Sequence, residues 1–248
     1  MKRIFSLFIL FFSLFGVQAT KIQKSMADSM YAAGKYQEAI VFYQKILQQG
    51  DNAAIYYNLG NAYYRLHDMG HAILNYERAA NREPGDADIR FNLALARSKT
   101  LDKIESTDGF FLVYWFRSFL NSMNTDQWGR LSIGAFVLML SGGLFYAFGR
   151  RLLLRKIGFF AAVMMFFFCL FFNIFAYLQR KQYLDNTHAV IMETCRIKSS
   201  PAASGTVLFS LHEGTKVKIL DNSMRDWVEI KLSDGKIGWM QKVDMEMI

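Results

Sequence analysis

The chain is poor in the residues from which covalent or metal-bound frameworks are made. Among 248 residues there are two cysteines, Cys169 and Cys195, and four histidines. Two thiols far apart in dissimilar surroundings provide neither a disulfide framework nor a cysteine-based zinc site. Motifs of catalysis are missing as well: there is no G-x-S-x-G elbow, no H-E-x-x-H, no phosphate loop and no glycine-rich dinucleotide turn. His67 and His71 are four apart, but the pattern around them puts one in a turn and the other at the start of the next helix. His188 and His212 have no Asp or Cys at convincing spacing. No enzyme activity, cofactor or metal is therefore expected. A dense basic patch is lacking too. The net charge is +8, yet much of the excess comes from Lys2 and Arg3 and from Arg150, Arg151, Arg155 and Lys156. No folded part has the Lys/Arg density that phosphate neutralisation along a nucleic acid demands, which excludes that class of partner.

What the chain does contain is grease, with 52% hydrophobic and 16% aromatic residues, too much for a disordered tail. Residues 1–19 start with two cations, run through IFSLFILFFSLFGV and end on Val17-Gln18-Ala19, the pattern of a signal peptide cleaved after Ala19. An uncleaved anchor is the other reading. Residues 131–149 and 157–178 form two uncharged or nearly uncharged apolar runs, each close to the ~20 residues that cross a bilayer, and are expected to be transmembrane helices. The basic loop 150–156 between them is expected in the cytoplasm by the positive-inside rule. Both flanking regions then face the outer compartment, which agrees with the signal. Gly142, Gly143 and Ala147 make a small-residue face for hairpin packing or for another helix. Asn173 is expected to hydrogen-bond between the helices. The linker 101–130 contains FFLVYWFRSFL (Phe110 to Leu120), too short to span and rich in aromatics that favour the headgroup region, so an interfacial helix is expected.

Between residues 20 and 100 the sequence repeats itself. The stretch Ala53 to Asp86, AAIYYNLGNAYYRLHDMGHAILNYERAANREPGD, sets Tyr56, Leu59-Gly60, Tyr63, Ala72, Tyr76, Ala79 and Pro84 at spacings that closely resemble the tetratricopeptide repeat. Small residues stand where two helices touch, tyrosines fill the space beside them, and Pro84 ends the second helix. Met26-Ala27, Met30, Ala39, Tyr43 and Ile46 repeat the pattern more weakly upstream. Ala87 to Lys99 supplies a closing helix. The resemblance implies a concave face that holds a peptide or a protein segment, lined by Lys24, Asp28, Tyr57, Asn58, Asn61, Arg65, Asp88, Phe91 and Asn92. Some family members clamp a C-terminal carboxylate there. Lys24 and Asn58 match that clamp, whereas Asp28, Asp88 and Asn92 replace its other members, so a ligand of another kind is implied.

Residues 186–248 change texture to short alternating runs with turns, and Asp234-Gly235 is a strong hairpin signal. Ile197 to Pro201, Gly214 to Val217, Trp227 to Ile230 and Gly235 to Met240 resemble the bacterial SH3-like domain. Lys198 stands where that family has Arg. Trp227 and Trp239 are the aromatic anchors for contact, with core filling as the alternative role. Cys195 reads as a structural thiol.

The fold class expected is thus a multidomain membrane protein: an all-α tetratricopeptide repeat domain, a transmembrane helical hairpin and an all-β SH3-like barrel. This order of parts resembles the BatE-like proteins of the Bat aerotolerance group. That resemblance implies an adaptor in the bacterial inner membrane with its repeat groove and SH3-like domain in the periplasm. Its implied partners are von Willebrand A-domain Bat proteins and, indirectly, a MoxR-type ATPase. A cell-wall sensor that binds peptidoglycan through the SH3-like domain is the alternative.

Overall fold

A computed structural model describes residues 23–104 and 111–248; the expected signal peptide lies outside them. The described residues fall into two compact units. One joins residues 23–82 and 87–104 with residues 186–248, and the other holds Glu83–Asp86 and the long helices up to Asp185.

The first unit begins with helical residues 23–32 (α1), followed by α2 Tyr36–Leu47, α3 Ala53–Arg65, α4 Met69–Arg82 and α5 Ala87–Lys99. Local chemistry explains the breaks. Gly34 takes φ +76° in the turn before α2, a conformation that costs glycine little. The Asn52 side chain accepts the Ile55 N–H and caps α3. The apolar periodicity closes each hairpin: Ala27, Ala39, Tyr43, Ile46, Ile55, Leu59 and Ala62 form one core. Gly60 is small for a reason, since a Cβ there would stand 2.7 Å from the Tyr76 ring.

Helix α4 is buried on more than one side. Ala72, Ile73, Leu74 and Tyr76 pack with Leu93 and Ala96 of α5, and also with Val190 of the C-terminal sheet. That sheet has seven antiparallel strands: β1 His188–Ile191, β2 Cys195–Lys198, β3 Val207–Leu211, β4 Lys216–Asp221, β5 Trp227–Lys231, β6 Ile237–Gln241 and β7 Met245–Met247. Their order is β3-β2-β6-β5-β4-β1-β7. Alternation sends Val217, Ile219, Val228 and Ile230 into the sheet's own core, with Ala189, Ile191, Cys195, Ile197 and Met240. Strand β1 breaks the one-face rule: Ala189 and Ile191 point into that core while Val190 packs with α4. This is why three consecutive residues are buried there.

Polar contacts tie the N-terminal helices to the sheet within this unit. Glu77 of α4 receives hydrogen bonds from Arg97 of α5 and, at 2.9 Å, from Lys216 of β4. Burial pushes the Glu77 carboxyl up, but the charges and donors of Lys216 and Arg97 outweigh it and hold the group below its ordinary range. Asp102 accepts the His212 N–H at 2.7 Å, the Thr215 hydroxyl at 2.6 Å and a contact from the His212 ring at 2.8 Å. His212 therefore has an acidic partner after all, 110 residues away in sequence, beyond the reach of any spacing argument. Burial raises the Asp102 carboxyl and these three contacts more than reverse it.

Gly214 sits at the same seam with φ +83°, and a Cβ there would be 2.8 Å from both the Ile73 and Thr100 side chains. Gly214→Ala is expected to destabilise the unit by about 1–3 kcal/mol, by strain and overpacking together. Thermal denaturation of the full chain in non-ionic detergent measures this. Gly50→Ala, with nothing within 4 Å, serves as the control and should stay within about 0.5 kcal/mol of the parent.

The second unit holds α6 Phe111–Leu120, α7 Thr125–Phe148 and α8 Leu152–Tyr183. Helices α7 and α8 are long and apolar enough to cross a membrane. Both outrun the apolar runs in the sequence. A capping box between Asn124 and Gln127 starts α7 six residues ahead of Leu131, and α8 carries on past the apolar run into Arg180 and Lys181. At 1.5 Å per residue α7 is about 36 Å long and α8 about 48 Å.

Gly142 is the small residue that the hairpin uses. A Cβ on it would lie 2.9 Å from both Gly158 O and Ala162 N, whereas Gly143 has nothing within 4 Å. The partner of Gly142 is Gly158, so the Gly143-to-Ala147 spacing is not what brings these two helices together. Asn173 donates to the Ser132 hydroxyl across the pair and to Cys169 O along its own helix. Trp128 is buried, and its indole N–H donates to Leu120 O at 3.2 Å. Phe116 and Phe119 of α6 pack against Phe175 of α8 with ring centroids 5.4 and 5.5 Å apart, while Tyr114 and Trp115 stay exposed. Phe110 lies outside the described residues.

Candidate functional site

Helices α1–α5 bring several of the residues expected on the concave face into two hydrogen-bonded clusters. In the first, Asp28 accepts from Lys24 Nζ at 2.7 Å, from the Tyr43 hydroxyl at 2.8 Å and from Asn58 Nδ2 at 3.3 Å. Burial first, then the hydrogen bond to Asp28, pushes the Tyr43 phenol upward, so it stays a donor. In the second, Asn61 Oδ1 accepts both the Tyr76 hydroxyl at 2.7 Å and Asn92 Nδ2 at 2.9 Å, and Asn92 also donates to the Tyr57 hydroxyl at 2.9 Å. Helices α1, α3 and α5 supply the amides and the carboxylate, and the second helices α2 and α4 reach in with Tyr43 and Tyr76. A cavity of about 270 Å³ lined by Asp28, Tyr31, Tyr43, Asn58 and Asn61 opens between the two clusters.

Not every expected residue joins. Arg65 is held elsewhere: its Nε donates to the Tyr36 hydroxyl at 3.0 Å and its guanidinium lies 5.3 Å from that ring. Asp88 and Phe91 lie exposed on α5 outside the cavity lining. Tyr31, Tyr43 and Tyr76 are the site residues that sequence reasoning missed. The last two stand on α2 and α4, and the signal was there: a tyrosine that fills the core with its ring still has a hydroxyl to place.

The site offers hydrogen-bonding groups. Asn61 Oδ1 already takes two donors, which leaves its amide N–H groups for a ligand, and Asn58 has given an N–H to Asp28, which leaves its carbonyl. A donor and an acceptor one helical turn apart suit the N–H and C=O groups of an extended chain. Among the described residues no cluster of three or more His, Cys, Asp or Glu could hold a metal ion. His71 pairs with Asp68 at 2.8 Å and stacks on Tyr63, while His67 turns the chain with φ 63°. Cys195 is buried, and burial pushes its thiol up to about 12, which leaves it unreactive.

On the sheet, Trp227 and Trp239 are half-buried and stand on outward positions of β5 and β6. Core filling, the alternative for both, falls to Val228, Ile230 and Met240, the residues that alternate with them. The Lys198 ammonium lies 5.5 Å from the Trp227 ring, and Lys198 is the register partner of Trp239. Two indoles and a cation are thus gathered at one outward surface. No curated protein matches the chain. Residues 193–246 match the bacterial SH3 domain family, so the C-terminal sheet has a bacterial SH3 domain within it.

Proposed function

We propose that the protein is an adaptor of the bacterial inner membrane. In this reading α7 and α8 are a transmembrane hairpin, and the tetratricopeptide-type groove and the bacterial SH3 domain are one docking body in the periplasm. The observation that carries it is the joining of the two flanking regions. Repeat helices and sheet, separated in sequence by the apolar pair, bury Glu77 between Arg97 and Lys216 and Asp102 against His212 and Thr215. Regions packed in this way occupy one compartment, and a two-helix hairpin with Arg150, Arg151, Arg155 and Lys156 in its turn returns the chain to the side it came from. Most apolar side chains of α7 and α8 are exposed, as lipid-facing residues are, which supports the same reading.

The partner proposed is a segment of a von Willebrand A-domain protein of the Bat group, held in extended form against Asn58 and Asn61 and linked through it to a MoxR-type ATPase in an envelope-stress complex. Crosslinked membranes should yield such a partner with the full chain. The combined Tyr57→Ala and Asn58→Ala variant, inserted at parental level, should recover at least about tenfold less, a loss of roughly 1.4 kcal/mol; unchanged recovery counts against the groove. The outward placement of Trp227 and Trp239 favours a second reading, binding of peptidoglycan by the SH3 domain. Sedimentation of the detergent-solubilised full chain with purified sacculi tests it. Material that stays in the supernatant leaves the adaptor reading alone.

A further inference from the structure

A cleft of about 840 Å³ lies between the segment that follows α5 and the sheet, and neither Trp227 nor Trp239 lines it. Among the described residues five cations line it, Arg97, Lys103, Lys216, Lys218 and Lys231, against one carboxylate, that of Asp102. Asp102 is occupied by His212 and Thr215. Arg97 and Lys216 are neutralised by Glu77. Lys103 donates to the Ser98 carbonyl at 2.8 Å and has no acid partner among the described residues. The side chains of Lys218 and Lys231 have neither hydrogen bond nor ion pair among the described residues, and the two are direct cross-strand partners on β4 and β5, with His188 opposite Lys218 on β1.

Like charges set directly opposite each other are destabilising, so the arrangement calls for an anion between them. Side chains so paired start from Cβ atoms about 5 Å apart, close enough for one group to accept from both ammoniums. The one guanidinium among the described cleft residues is committed to Glu77, which leaves ammonium donors; these act as point charges, so the charge of a group decides what they hold. A phosphate monoester carries about −1.5 to −2 charge at pH 7, so a single group matches two lysines. We propose that this cleft binds a phosphate group, with Lys218 and Lys231 as its direct contacts. The source is a soluble phosphate ester or a lipid headgroup, and the inference stands independently of the adaptor reading.

Lysine acetylation of the full chain in non-ionic detergent, read by mass spectrometry at constant ionic strength, tests it. The probes are inorganic phosphate, glycerol phosphate and short-chain phosphatidic acid, with sodium chloride and hexaglutamate for comparison. A phosphate probe at four times its dissociation constant should slow Lys218 and Lys231 about fivefold and leave Lys45 on the exposed face of α2 unchanged. Slowing by both soluble phosphates identifies a soluble ester, and slowing by the lipid alone identifies a headgroup; either supports the site. The double variant Lys218→Gln, Lys231→Gln changes two exposed positions, and by equilibrium dialysis it should bind the effective probe at least about tenfold more weakly. No protection by any phosphate probe, equal slowing at Lys45, equal protection by hexaglutamate, or full binding by the double variant overturns the proposal.

Discussion

Arg97→Met combined with Lys216→Met should lower the stability of the first unit by about 3–5 kcal/mol, because it leaves a buried carboxylate without a counter-charge. Glu77 has a side chain only 4% exposed, whereas its two partners are 47% and 33% exposed and lose little when they are replaced. The cost therefore falls on the acid. Adding Glu77→Met removes the orphaned charge and should restore most of the loss, since a well-packed apolar replacement of a buried pair is often neutral or better. Hydrogen exchange of the β1 and β4 amides in the full chain measures both steps. Recovery in the triple variant is what separates electrostatics from packing.

The same group sets a pH dependence. Its carboxyl is held below the ordinary value of 4.5 in the folded chain, so its stabilisation is complete above that value and is lost as pH falls through the lowered folded value. The parent should weaken in that acid window, and the triple variant should show a flatter profile.

Tyr76→Ala should cost about 3–5 kcal/mol, in the range of other buried aromatic truncations. The ring is 1% exposed and lies against the backbone of Gly60, where no other residue can follow it to fill the space. Tyr76→Phe keeps that packing and loses only the hydrogen bond to Asn61, about 1 kcal/mol. The phenylalanine variant is the sharper functional probe. It frees one lone pair of Asn61 and alters the groove without collapsing it. Thermal denaturation gives the first comparison, and partner recovery from membranes gives the second.

Helix pairs, the two long apolar helices and the strands were legible because each is written in a short pattern. Gly60 and Ala72 mark a close helix crossing, Val217/Ile219 and Val228/Ile230 mark alternation, and Asp234-Gly235 marks a hairpin turn that the chain does make, with Gly235 at φ +92°. The clustering of Asp28, Asn58, Asn61 and Asn92 was legible in part for the same reason, since it follows from the phase of helices α1, α3 and α5. Arg65 was misplaced because its length lets it turn away to Tyr36. Tyr43 and Tyr76 were read only as core because one side chain serves two roles. What the sequence hid is contact between remote segments. Nothing local pairs Glu77 with Lys216 or Asp102 with His212, and nothing local says that Val190 should face a helix rather than the interior of its own sheet.

Glu77 and Lys216 are separated by 139 positions, and that distance orders events during synthesis. When α4 leaves the ribosome, the strand that will cover it has not been translated, and both apolar helices must be produced first. Until then Ile73 and Leu74 are open to water on one flank, so a stop codon ahead of β1 would yield a polypeptide with an adhesive surface, prone to self-association and to degradation by quality-control proteases.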